Sequence, residues 1–109
     1  MTIRREDLDF LLFDWLDALA LAERPAYAHL DRDTVDSMLD ASLALAASQF
    51  AAHAAKSDAN EPHVRDGRVV LIPEIERALR AYADAGLFGM EAPVEEGGLG
   101  LPYTLKFLW

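Results

Sequence analysis

Hydrophobic and polar residues follow a helical period in three stretches of the chain. The first starts at Glu6, and spacings of three and four place its apolar side chains on one broad stripe. This stripe comprises Leu8, Leu11, Leu12, Trp15, Leu16 and Leu19. Phe10 and Phe13 fall among the aspartates of the other side, so this helix has apolar surface for two partners. The pattern favours burial against another domain or subunit; the alternative is a helix covered on both sides by loops of its own domain.

The second stretch lies between two breaks in the pattern. Pro25 ends the first helix, because proline cannot continue it. Asp33 is predicted to cap the next helix, with Asp36 as a weak partner three residues later. We expect this helix to run from about Thr34 to Ala55. Its apolar stripe is Val35, Met38, Leu39, Leu43, Ala46, Phe50 and His53.

The third helix is preceded by turn and strand signals. Asp66-Gly67 is a turn signal, and the β-capable run after it predicts a small hairpin near Val64–Ile72. Pro73 starts the helix and Gly86 ends it as a left-handed cap. Its predicted buried stripe is Ile75, Ala78, Leu79, Tyr82 and Gly86, and Glu76 and Arg80 are spaced for an ion pair. The fold class is therefore all-α: one small domain over residues 1–109, with three main helices and a short extended turn.

Composition and charge exclude several classes of partner. The 109 residues carry a net charge of −9, and the ten Lys and Arg are scattered, so we expect no nucleic-acid partner. No apolar run approaches the roughly 20 residues of a membrane span. Arg4 and Arg5 are followed at once by acidic residues, unlike a transit peptide, so the expected compartment is the cytoplasm. Without cysteine, thiol chemistry and Cys-ligated metals are excluded.

The residues capable of acid–base chemistry are dispersed. His29, His53 and His63 lie on three different segments, and none has a metal-ligand partner at helical spacing. His53, on an apolar stripe, is interpreted as a structural core histidine rather than a base. Glu95 and Glu96 precede a Gly-Gly turn and are interpreted as solvated. We therefore predict no catalytic, cofactor-binding or metal-binding residue in this chain.

Five of the six glycines lie between Gly86 and Gly100. Gly97-Gly98-Leu99-Gly100 is glycine-rich, as phosphate-binding loops are. No Lys-Ser or Lys-Thr follows it, however, and Glu95 and Glu96 would repel a phosphate. Serine nucleophiles have no glycine-flanked elbow either, so a stand-alone hydrolase has no support. The stretch is predicted to be a tight corner between helices.

An ordered series of motifs resembles the N-terminal helical domain of acyl-CoA dehydrogenases. The series is Asp66-Gly67-Arg68-Val69, Ile72-Pro73, Ala81-Tyr82-Ala83-Asp84-Ala85-Gly86-Leu87, and Pro93-Val94-Glu95-Glu96-Gly97-Gly98-Leu99-Gly100-Leu101-Pro102. The segment from Asp7 to Asp17 is similar to the extra N-terminal element of the long subclass of that family. The matches span nearly the whole chain.

The resemblance implies a parent enzyme that uses FAD to desaturate acyl thioesters. In that family a glutamate removes the α proton and the flavin takes hydride from the β carbon, but both sites lie in later domains. We therefore expect a fragment, incomplete at its C-terminal end and inactive alone, that binds no cofactor; acyl-CoA would bind only to the complete enzyme. The expected partner is the remainder of the parent enzyme, or a second copy through exposed apolar surface that includes Phe107, Leu108 and Trp109. The alternative is a small non-enzymatic interaction or dimerisation module derived from the same fold.

Overall fold

A computed structural model describes residues 3–106 and confirms a small, mostly α-helical fold with one short hairpin. Phe107, Leu108 and Trp109, the tail expected to contribute apolar surface, lie outside these residues. The α-helices are α1 (Arg5–Asp9), α2 (Arg32–Leu45), α3 (Ala54–Ala59), α4 (Pro73–Asp84) and α5 (Tyr103–Lys106). The strands are β1 (His63–Arg65) and β2 (Arg68–Val70). The chain divides into a first unit, Met1–Asp40 with Gly89–Trp109, and a second unit, Ala41–Phe88.

The first apolar stripe does not form the single long α-helix that its period predicts. After α1 the chain forms a π-helical segment, Phe10–Trp15. Asp17 then adopts a left-handed conformation with φ 46°, and a 3₁₀ segment, Ala18–Glu23, follows. Aspartate tolerates this conformation better than most residues, because its short polar side chain can form local hydrogen bonds. The prediction of one regular helix was therefore wrong.

The first unit has an apolar core drawn from both of its chain segments. Its helices supply most of this core, and the C-terminal segment closes it. Its buried apolar residues, among those described, are Leu8, Leu12, Ala18, Leu30, Val35, Leu39, Met90, Leu101 and Leu105. Leu11, Trp15 and Leu16, which the helical period assigned to the buried stripe, are exposed instead. The loss of α-helical geometry after Asp9 explains the difference, because it changes which side chains face inward.

The cap of α2 is Asp31, not Asp33 as predicted. The Asp31 carboxylate accepts a hydrogen bond of 2.7 Å from the backbone N–H of Thr34. This bond lowers the pKa of Asp31, because it favours the ionised form. The expected capping partner, Asp36, pairs instead with Arg32 at 2.9 Å and with Arg5. The cap therefore lies two residues earlier in the chain than predicted.

The second helical stretch extends beyond its predicted end and is irregular. After α2 come a π-helical segment, Ala46–Phe50, a 3₁₀ turn, Ala51–His53, and then α3. The residues from Lys56 to Ala59, which follow the predicted helix end at Ala55, are therefore helical. His53 has φ −121° and ψ 10°, which interrupts the helical backbone.

The hairpin and the third helix form as predicted. Strands β1 and β2 pair antiparallel, with Val64 opposite Val69, and the turn residues Asp66 and Gly67 both have positive φ. Pro73 is the first residue of α4, and Gly86, with φ 75°, follows it in the left-handed conformation. Glu76 and Arg80 pair at 2.9 Å. Of the predicted buried stripe, only Ala78 is buried. Ile75 and Tyr82 are half-buried, whereas Gly86 and Leu79, which is 45% exposed, face solvent.

Candidate functional site

The glycine-rich segment forms a closed corner, which we name the glycine corner (residues 89–101). Its backbone bonds to itself: the N–H of Gly98 donates to the carbonyl of Pro93, and that of Gly100 to the carbonyl of Ala92, at 3.0 and 2.9 Å. The N–H of Leu101 donates to the Met90 carbonyl at 2.9 Å. These donors are already satisfied, so they are not free to hold a phosphate.

Two features require glycine in this corner. Gly97 and Gly100 have φ values of 89° and 61°, where side chains are strained. Gly98 lies so close to Ala92 that an added Cβ would overlap the Ala92 carbonyl group, with 2.5 Å to its carbon. The ring of His29 also bonds to the corner, with its Nε2 atom 3.2 Å from the carbonyl oxygen of Leu99. The corner therefore brings backbone segments into close contact.

Four exposed apolar side chains lie within the π-helical segment or directly after it, and we name them the apolar patch: Phe10, Leu11, Trp15 and Leu16. Hydrogen bonds in a π-helix join residues five apart, and the Leu16 N–H donates to the Leu11 carbonyl at 3.0 Å. This geometry brings residues five apart closer to one side than an α-helix would. Leu11 and Leu16 are thus joined across one π-helical turn.

The apolar patch borders a cleft in the same unit. Leu16 lines this cleft, which has a volume of about 550 Å³ and is also walled by Leu21, Arg24 and Thr104. Trp15 is 68% exposed and Phe10 is 57% exposed. Large exposed apolar patches mark interaction sites more often than scattered single apolar side chains do.

Two arginines hold the segment that carries the patch to α2. Arg5 pairs with Asp9 at 2.9 Å and also with Asp36 and Asp40. The guanidinium of Arg32 lies 3.5 Å from the centre of the Phe13 ring, a cation–π contact. Phe13 is thus partly covered within its own unit, whereas the sequence assigned it with Phe10 to a second partner.

The histidines and the Glu95-Glu96 pair lie in separate segments of the chain. His29 belongs to the first unit, and His53 and His63 lie on different elements of the second. Glu95 and Glu96 are exposed in a 3₁₀ turn. Within residues 3–106, no group of three or more His, Asp or Glu side chains is arranged to hold a metal ion.

A polar cavity of about 250 Å³ in the second unit was not foreseen. Glu74 lines it and pairs with Lys56 at 2.7 Å and with Arg77 at 3.4 Å. The Lys56 hydrogen bond lowers the pKa of Glu74 and keeps it ionised. Eighteen positions separate Lys56 from Glu74, so no local spacing in the sequence could have revealed their contact.

Comparisons with protein-family models, with characterised proteins and with solved structures gave no match to this chain. None of the helices described here is both long and apolar enough to cross a membrane.

Proposed function

We propose that this chain is the N-terminal helical domain of an FAD-dependent acyl-CoA dehydrogenase-like enzyme. In that enzyme it would form a helical surface against which a later domain packs. The observation that carries the proposal is the glycine corner. Its residues include Pro93–Pro102, the most specific part of the motif series. The resemblance implies that these glycines let two backbone segments approach each other closely. Gly98 lies too close to Ala92 for any side chain to fit.

The apolar patch supports the same proposal. Leu12, on the same segment, is fully buried, so this segment has an inner face and still leaves Phe10 and Trp15 exposed. A domain that must exclude water from a neighbouring acyl site would need such a second apolar face. The patch would pack against a later domain of the parent enzyme.

The described residues do not fit a flavin. The backbone N–H groups of Gly97, Gly98 and Gly100 are engaged within the corner. Glu95 and Glu96 lie beside them and carry the same sign of charge as a flavin phosphate. FAD, acyl-CoA and the catalytic glutamate would therefore belong to other domains. This chain would pack against a later domain and shield the acyl site from water, and we expect it to do so in the cytoplasm.

The proposal is tested on the native gene. We expect the reading frame to continue beyond the Trp109 codon into a β domain, or a neighbouring gene to encode that domain. The natural product, isolated through an N-terminal tag, should then carry flavin absorbance that acyl-CoA bleaches. A native product whose intact mass ends at Trp109, and which purifies without flavin or a flavin-binding subunit, would refute the proposal.

A second candidate function is a self-associating module, and the apolar patch also favours it. The net charge of −9 opposes association of identical chains. Size-exclusion mass together with tryptophan emission separates the two functions. A monomer with red-shifted emission, as expected for an unpartnered docking domain, contradicts the module. A dimer with blue-shifted emission that Trp15→Ser disrupts would support it.

A further inference from the structure

The apolar patch and the cleft of the first unit share Leu16, and we name the two together the docking surface. The cleft is also lined by the apolar side chains of Ala18, Ala20 and Leu21. Its volume of about 550 Å³ lies within the usual range for binding pockets. Trp15, at 68% exposed, is of a residue type that often anchors protein–protein interfaces. All of these residues belong to one compact unit, so the docking surface does not depend on another part of the chain.

Acidic side chains without an ionic partner border the docking surface. Asp17 and Glu23 line the cleft, and Asp14 lies in the π-helical segment that carries the patch. All three are exposed, and none of them forms an ion pair within the described part of the chain. The arginines that hold this segment to α2, Arg5 and Arg32, are already paired with other aspartates. The three carboxylates are therefore available to the cations of a partner.

The charge of the chain selects among possible occupants of this surface. Among the residues that line the cleft, Arg24 is the one cation, against the two carboxylates of Asp17 and Glu23. The whole chain carries a net charge of −9, which attracts a basic partner and repels a second copy of itself. An anionic membrane surface would be repelled in the same way. Apolar surface with an acidic border therefore fits a partner whose apolar residues are flanked by basic ones.

We propose that the docking surface binds a basic amphipathic helix of a partner protein. The apolar face of that helix would cover Trp15 and Leu16, as apolar helix faces do in hydrophobic grooves. A lysine or arginine beside that face would lay its aliphatic stem against Leu21. Its charged end would lie near Asp17 and Glu23. This inference rests on the function proposed above, and it names the chemistry that the later domain would present to this chain.

Three fluorescein-labelled peptides test the apolar and ionic parts of the proposal. The first forms a helix with leucine on one face and lysine on the other, the second carries glutamate in place of lysine, and the third carries serine in place of leucine. Fluorescence anisotropy titrations with the full chain measure their affinities. We expect the leucine–lysine helix to bind at least about tenfold more tightly than either counterpart, with an affinity that falls as the salt concentration rises. Equal binding of either counterpart would overturn the proposal, because one kind of contact alone would then account for binding.

Two double variants with the same change in net charge locate the ionic contacts. Asp17→Asn with Glu23→Gln removes the cleft carboxylates, and asparagine tolerates the left-handed conformation of position 17. Glu95→Gln with Glu96→Gln is the matched control, since these residues are exposed in the same unit and do not line the cleft. The cleft variant should weaken binding of the leucine–lysine peptide about fivefold relative to the control. Arg24→Gln should instead strengthen binding, because it removes the competing cation of the cleft. If the two double variants bind alike, or if Arg24→Gln weakens binding, the proposal is overturned.

Trp15→Ser tests the apolar contact. It should weaken binding of the leucine–lysine peptide at least about tenfold. Val64→Ser, at a side chain of the second unit that is 72% exposed, is the control and should bind as the parent does. An unchanged affinity of Trp15→Ser overturns the proposal, and so does a dimer that Trp15→Ser dissociates, because a second copy would then cover the surface. Failure here is distinguishable from failure of the proposed function, since the peptide affinities do not depend on the reading frame or the flavin content of the native product.

Discussion

Gly98→Ala tests whether close backbone contact closes the glycine corner. The new methyl group would overlap the Ala92 carbonyl group, 2.5 Å from its carbon and 2.7 Å from its Cβ. Cβ atoms essentially never approach other atoms this closely, so one of the two backbone segments must move. The hydrogen bond from the Gly100 N–H to the Ala92 carbonyl, at 2.9 Å, lies directly in the path of that movement.

The cost follows from the bonds that hold the corner. The Gly98, Gly100 and Leu101 N–H groups all donate within it, and each such bond contributes about 0.5–1.5 kcal/mol. Loss of two or three, with residual strain, predicts destabilisation of about 2–4 kcal/mol. Gly89→Ala is the matched control, because its Cβ would meet nothing within 4 Å and its φ is not positive.

Urea denaturation followed by far-ultraviolet circular dichroism measures both variants against the parent chain. Gly89→Ala should be neutral, or stabilising by at most about 1 kcal/mol through the unfolded state. If Gly98→Ala shifts the midpoint no more than Gly89→Ala does, the corner is not closed by this contact, and the reasoning fails. A changed denaturant slope would instead indicate a less compact corner.

Three further predictions address the cap, an ion pair and the apolar patch. Asp31→Ala should lower the urea midpoint, because the N-cap bond is lost. The hydrogen bond from Lys106 lowers the pKa of Glu91 below its ordinary 4.5. The stability that this pair contributes is present above pH 4.5 and is lost as the pH falls through the lowered pKa. Glu91→Gln should therefore reduce the pH dependence of the free energy of unfolding in that range. Leu12→Ala should cost about 2–5 kcal/mol in urea unfolding, whereas Trp15→Ser, at an exposed site, should leave the midpoint nearly unchanged.

Local signals predicted the elements whose geometry is set by a few neighbouring residues. Pro73 starts α4, Gly86 follows it in the left-handed conformation, and Asp66-Gly67 turns the hairpin. Each of these positions is fixed by steric limits on the backbone dihedral angles, which depend on the residue type and not on distant contacts. The fold class followed from the same signals together with the helical period. The resemblance to acyl-CoA dehydrogenases rests on the sequence, and it stays a proposal here.

Features that depend on contacts between distant residues could not be predicted. The helical period assigned Leu12 and Trp15 to the same buried stripe, yet Leu12 is fully buried and Trp15 is 68% exposed. Likewise, the period placed His53 in a core stripe, whereas the structure places it on the wall of a polar cavity. Asp31 and Asp33 were equally able to cap α2 by residue type.

The sequence by itself determined where α4 begins and ends and where the hairpin turns, because these depend on the dihedral preferences of single residues. The tertiary structure alone decided which apolar side chains remain exposed. It also decided that Lys56 meets Glu74 at one cavity. Burial and ion pairing between distant residues depend on which segments approach each other, and no spacing along the chain specifies that approach.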